Sequence, residues 1–163
     1  MSTFQPIESQ ERAPADAQVA IIRSRYNDQI TSILLESCLH ALKGRGIADT
    51  SITSTSVPGA FELPYAAKQL AETGRFSAVV CLGAVIRGDT PHFDYVCAAA
   101  SDGILQVSLE TGVPVIFGVL TVDTLEQASA RVGADASAGD KGREAGMTAV
   151  DMILWRSEFV PHE

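Results

Sequence analysis

Long apolar runs are missing from this chain; none approaches the roughly 18 residues a helix needs to cross a bilayer. No membrane span is expected. Basic residues are scarce too: 12 Lys and Arg stand against 20 Asp and Glu, for a formal charge of −8. A nucleic-acid partner is therefore not expected, because its phosphates must be neutralised by clustered cations. Cysteine is limited to Cys38, Cys81 and Cys97, with no CxxC and no metal-ligand spacing. Each lies in an apolar periodic segment, where a thiol acts as a small core residue. HExxH, P-loop and GxGxxG patterns are absent. Gly139-Asp140-Lys141-Gly142 looks like a P-loop ending, but Asp separates Gly from Lys and Gly follows it. No metal is expected.

Residues 1–16 hold Glu8, Glu11, Arg12, Pro14 and Asp16 without an apolar run, which excludes a signal peptide. They read as a flexible acidic arm ahead of a single domain over residues 17–163, and a cytoplasmic location is the default. What the chain does have is a 46% hydrophobic content over 163 residues, enough for one well-buried core. Val19 to Ile22 reads as a strand, and the helix after it takes Asn27 or Asp28 as its cap. Its apolar residues Ile30, Ile33, Leu34, Leu39 and Leu42 recur at helical spacing. Ile52 to Val57 is a β-branched second strand, followed by a helix over Phe61 to Thr73. Ser77 to Val85 is the third strand and Phe93 to Thr111 the third helix. Val113 to Leu120 is the fourth strand; two helices over Thr124 to Val132 and about Gly142 to Trp155 close the chain. The order β-α-β-α-β-α-β-α-α predicts a parallel sheet with helices on both faces.

In such a sheet the loops at the carboxyl ends of the strands carry the chemistry. Gly83-Ala84-Val85-Ile86-Arg87-Gly88-Asp89-Thr90-Pro91-His92 leaves the third strand and opens a helix. Its N–H groups, at a helix N-terminus, suit an anion. Arg87 adds a cation, and His92 adds a group that moves protons near neutral pH. His92 reads either as a general acid/base or as a helix-start residue bonded to a backbone carbonyl. Pro58-Gly59-Ala60-Phe61-Glu62 leaves the second strand. Glu62 there either accepts bonds from ligand hydroxyls or, more simply, favours the helix dipole. Tyr26, after the first strand, reads as a stacking ring or a half-buried surface aromatic. For Phe117, in the fourth strand, core packing is the default. Arg131 ends a helix, where it complements the dipole, and Lys141 reads as a solvated loop cation. Together the loops suit a planar, hydroxylated ligand beside a phosphorylated one.

The motifs Pro58-Gly59-Ala60-Phe61-Glu62, Gly83-Ala84-Val85-Ile86-Arg87-Gly88 with Thr90 and His92, Val115-Ile116-Phe117-Gly118, Arg131 and Lys141 occur in the order seen in one family. The chain resembles the lumazine synthases from about Val19 to its last helix. The resemblance implies a flavodoxin-like three-layer α/β/α sandwich with a four-stranded parallel sheet. It implies condensation of 5-amino-6-ribitylaminouracil with 3,4-dihydroxy-2-butanone 4-phosphate to 6,7-dimethyl-8-ribityllumazine, releasing phosphate and water, with no cofactor. His92, Arg131 and Lys141 would be catalytic. Tyr26 would stack on the pyrimidine, Ala84, Val85 and Ile86 would bind its edge, and Ala60, Phe61 and Glu62 would hold the ribityl chain. Asp89 and Thr90 would join Arg131 at the phosphate, Asp89 through its N–H rather than its carboxylate. Phe117 would reach into a neighbouring subunit's site, which implies a homopentamer. Some members build a shell of twelve such rings; the long loop Val132 to Asp140 and the acidic charge favour the free ring here. The alternative is a non-catalytic protein that binds ribityllumazine or flavin on the same scaffold.

Overall fold

The computed structural model describes residues 8–160, so residues 1–7 of the expected arm, and His162, lie outside the described residues. The chain runs β1 (Val19–Ser24), α1 (Asp28–Gly44), β2 (Ile52–Val57), α2 (Leu63–Ala71), β3 (Ala78–Ile86), α3 (His92–Thr111), β4 (Val115–Val122), α4 (Leu125–Ser129) and α5 (Lys141–Phe159). Short 3₁₀ turns at Asp49–Ser51 and Ala60–Glu62 precede β2 and α2. All strand pairs are parallel, in the order β2-β1-β3-β4. This is the parallel sheet the alternation predicts, in the flavodoxin-like α/β/α sandwich the resemblance implies. No helix among the described residues is long and apolar enough to cross a membrane.

Alternation along β3 assigns each side chain to a layer, because successive residues point to opposite faces. Val80 and Leu82 pack with Leu34 and Leu42 of α1 and with Val150 and Ile153 of α5. Val79 and Cys81 pack instead with Leu63 and Ala67 of α2 and with Ala100 and Ile104 of α3. The central strands are thus apolar on both sides, as buried parallel strands are. Each fully buried Leu or Ile contributes about 1.5–3 kcal/mol relative to exposure. Burial also pushes the Cys38 and Cys81 thiols up to about 12, so neither is a nucleophile near neutral pH.

Helices α1 and α5 approach so closely that side chains are excluded between them. A Cβ at Gly142 would sit 2.8 Å from Leu34 Cα, and one at Gly146 would sit 2.8 Å from the Cys38 carbonyl oxygen. Glycines four residues apart on α5 therefore face residues four apart on α1. This contact also places the start of α5, and with it Lys141, against the sheet.

Some boundaries differ from the sequence expectation. The segment from Phe61 does not begin an α-helix; it completes the 3₁₀ turn, and α2 starts at Leu63 with Pro64 in its first turn. Asn27 stands at the start of α1 but makes no side-chain cap bond. Asp140 caps α5, its Oδ1 accepting from the Gly142 and Arg143 amides. Residues 8–16 form neither helix nor strand. Glu8 pairs with Arg143, Arg45 Nε donates to the Glu11 carbonyl at 2.6 Å, and the Ala13 amide donates to the Arg45 carbonyl.

Gly146→Ala tests the helix contact. Overpacking of this kind costs about 1–3 kcal/mol, read as a lower urea midpoint with unchanged slope. An unaltered midpoint would mean that α1 and α5 are not in contact at Cys38.

Candidate active site

The strand order reverses direction beside β1: the chain crosses from β1 out to β2, then returns past β1 to β3. The loops leaving β1 and β3 consequently diverge, and a crevice opens at their carboxyl ends. Three hydrogen-bonded ties shape it. The Arg25 and Tyr26 amides both donate to the Pro58 carbonyl at 3.1 Å, joining the exits of β1 and β2. Asn27 Nδ2 donates to the Ala84 carbonyl at 2.8 Å, joining the exits of β1 and β3. For that reach Asn27 takes the left-handed conformation, φ 57°, which Asn tolerates better than most side chains. Sequence reasoning treated Asn27 as a cap and missed this role; an Asn directly after the loop aromatic was the available signal.

The Tyr26 ring lies over Gly59, where a Cβ would stand 3.1 Å from Tyr26 Cδ2. Only glycine permits that approach without displacement. The Gly59 amide donates to Glu62 Oε2 at 2.8 Å, so Glu62 closes its own turn, a bond that neither sequence reading anticipated. A carboxylate has about four acceptor sites, so this bond leaves capacity for a ligand hydroxyl. The resulting cleft of about 550 Å³ is lined by Tyr26, Asn27 and Val96, by Gly59 to Glu62, and by Ala84 to Ile86 with His92. Eight residues singled out from the sequence thus share one cavity: Tyr26, Ala60, Phe61, Glu62, Ala84, Val85, Ile86 and His92. Tyr26 and Phe61 expose 71% and 60% of their surface, more than the half-buried aromatic expected at Tyr26, and offer apolar faces to a planar ligand.

Asp89 and Thr90 stand on the exposed loop between β3 and α3. The His92 amide donates to Thr90 Oγ1 at 3.4 Å. Among the described residues the amides of Gly88, Asp89 and Thr90 make no hydrogen bond, and they stand at the N-terminus of the 20-residue α3. That is a donor set for an anion. Arg87, read as its cation, is instead engaged with protein. Its Nε donates to Asp123 at 2.7 Å and its Nη1 to Asp94 at 3.3 Å, and its guanidinium lies 4.1 Å from the Phe93 ring centre.

Phe117, Arg131 and Lys141 stand apart from this cleft. Phe117 is not a core residue: β4 is an edge strand, and the ring is 44% exposed. It lines a second cleft of about 390 Å³ between β4 and α5, together with Lys141 and Glu144. Lys141 Nζ and Glu144 Oε2 pair at 2.6 Å. Arg131 follows α4, and its Nη1 donates to the Gln127 carbonyl at 2.8 Å, which realises the helix-end reading. The Lys141 amide donates to the Arg131 carbonyl at 3.0 Å, so the loop between them closes on itself and brings the two backbones together.

The family model described as 6,7-dimethyl-8-ribityllumazine synthase matches residues 16–156. A protein of Desulfatibacillum aliphaticivorans with that name is 52% identical over 139 residues, covering 85% of this chain and 88% of its own. One of Protochlamydia amoebophila (strain UWE25) is 53% identical over 84% of this chain and 78% of its own. A third, of Syntrophus aciditrophicus (strain SB), is 57% identical over 80% and 83%. On a match over residues 16–156 and relatives more than half identical along most of their length, the chain belongs to the 6,7-dimethyl-8-ribityllumazine synthase family.

Proposed function

We propose that the cleft condenses 5-amino-6-ribitylaminouracil with 3,4-dihydroxy-2-butanone 4-phosphate, and that a second copy of the chain completes it. The observation that carries this reading is the convergence of Tyr26, Glu62, the Ala84 to Ile86 backbone and His92 on one cavity. Tyr26 stacks on the pyrimidine, whose edge pairs with backbone groups of Ala84, Val85 and Ile86. Ala60, Phe61 and Glu62 hold the ribityl chain. The Gly88 to Thr90 amides take the phosphate, with Asp89 contributing its N–H.

The reaction is a series of proton transfers. The 5-amine adds to the ketone and water leaves to form an imine; phosphate is eliminated, and the ribityl-bearing nitrogen then adds to the remaining carbonyl, closing the ring with loss of a second water. His92 stands between the pyrimidine pocket and the anion loop, where one imidazole can serve these steps, each such group contributing typically ~10²–10⁴-fold. Holding two substrates together adds several kcal/mol through prepaid entropy. The comparisons name an enzyme, and no observation favours the non-catalytic binding protein.

The cations come from the neighbour. Phe117 and Lys141 line a cleft that shares no residue with the first, and Arg131 is tied to Lys141. Exposed apolar side chains support docking at two different faces: Phe117 on β4, and Leu105 and Leu109, 60% and 76% exposed, on α3. Two unlike faces on each copy make a heterologous contact, which gives a ring where its rotation closes. Five copies form that ring, acting in the cytoplasm. The acidic chain, at −8 per copy, and the long loop over residues 132–140 disfavour packing of rings into a shell.

Mixing both substrates with the protein should give lumazine absorbance and fluorescence; His92→Ala should lower turnover by about 10- to 1,000-fold while the fold persists. Unchanged turnover across pH 6–8 would remove His92 from the chemistry. Arg131→Ala should raise KM for the butanone phosphate far more than for the pyrimidine, since losing one partner of a buried charge pair costs about 2–5 kcal/mol. Equal small changes would leave Arg131 as a helix-end cation. Light scattering should give a mass near five chains of 17.2 kDa; a particle of about sixty chains would overturn the free ring alone.

A further inference from the structure

Among the described residues Arg87 is the cation at the base of the anion loop, yet its guanidinium is spent on protein groups at the end of β4 and in α3. Its amide donates to the Val122 carbonyl at 2.9 Å, at the end of β4. Its Nε reaches Asp123 at 2.7 Å, one residue past β4. Its Nη1 reaches Asp94 at 3.3 Å, and its plane covers the Phe93 ring at 4.1 Å, both in the first turn of α3. Asp123 is held in turn, its amide donating to Gln127 Oε1 at 2.8 Å in α4. The loop over residues 88–91 therefore starts at Arg87 and ends against Arg87, with its own amides turned to no protein acceptor.

We propose that Arg87 is a positioning residue, a clamp that sets the shape of the Gly88 to Thr90 loop and the aim of His92 without touching phosphate. The proposal rests on the reading that this loop holds the phosphate of the butanone substrate. Two carboxylates against one guanidinium leave no net positive charge to offer an anion. What they leave is a planar fork with five fixed donors, bonded in two directions and stacked on a ring. A lysine ammonium carries the same charge but neither the fork nor the stacking plane. The structure thus separates charge from shape at this position, and the two roles predict opposite results for one substitution.

That substitution is Asp123→Asn, which removes a negative charge near the loop and weakens the clamp. If Arg87 served as a phosphate ligand, freeing it would tighten binding and lower KM for the butanone phosphate. As a clamp it should do the reverse, raising that KM about two- to fivefold, the range for an exposed charge pair. Arg87→Ala, which also removes the stacking, should raise it about tenfold. Arg87→Lys should fall near the alanine variant rather than the wild type. In all three, KM for the pyrimidine and the melting temperature should stay close to wild type, which a general loss of structure would not allow. An unchanged or lowered KM for the butanone phosphate in Asp123→Asn overturns the clamp. Asp89→Pro, which removes one loop amide, scores the loop reading separately: its KM for the same substrate rises if the loop amides hold phosphate, whatever Asp123→Asn does.

Discussion

The reversal of strand order at β1 is the constraint on which the rest of the structure depends. Because β2 and β3 lie on opposite sides of β1, the connections leaving β1 and β3 part at their carboxyl ends. A crevice there is unavoidable, and its walls are loops rather than packed side chains. Those loops are then laced back together by backbone and amide bonds, Tyr26 to Pro58 and Asn27 to Ala84. The cleft is open enough to admit a planar ligand and tied enough to keep its shape. Beneath it, the alternating faces of β3 fix both helical layers, so the loops rest on a buried base.

Anion binding by so acidic a chain needs a local solution. A net charge of −8 repels a phosphorylated substrate at long range, but salt screens that field beyond about 10 Å at 0.1 M. Within that distance, the amides of Gly88 to Thr90, just ahead of α3, make no hydrogen bond among the described residues and so present partial positive charge. Arg87 is already neutralised by Asp94 and Asp123. Lys141, beside the β4 edge, is likewise paired with Glu144, and its amide is tied to the Arg131 carbonyl.

Much of this was legible in the sequence, and the physical reason is periodicity. Apolar runs such as Ala78 to Leu82 and helical spacing in α1 depend only on which faces are buried, so the element order and the three strand-exit loops could be read directly. Eight cleft residues followed, because loop position in a parallel sheet implies location. What could not be read were side-chain partners set by tertiary contact. Nothing local tells whether Arg87 meets an anion or two carboxylates. Asn27 could cap a helix or, as it does, reach across to another strand; Phe117 reads as core until β4 is known to be an edge. The turn at Ala60–Glu62 escaped for a related reason, since the Glu62 bond to Gly59 closes a separate turn directly before α2 begins at Leu63.

Division of the site between two copies is the central claim, and co-assembly of two inactive variants tests it most directly. His92→Ala keeps an intact β4–α5 cleft, and Lys141→Ala keeps an intact strand-exit cleft. If each site takes one cleft from each of two neighbours, mixed rings contain some sites with both parts intact. Random assembly from equal amounts should then restore about a quarter of wild-type activity. If one chain held the whole site, every site in a mixed ring would lack either His92 or Lys141. Activity no higher than the mean of the two separate variants would contradict the divided site.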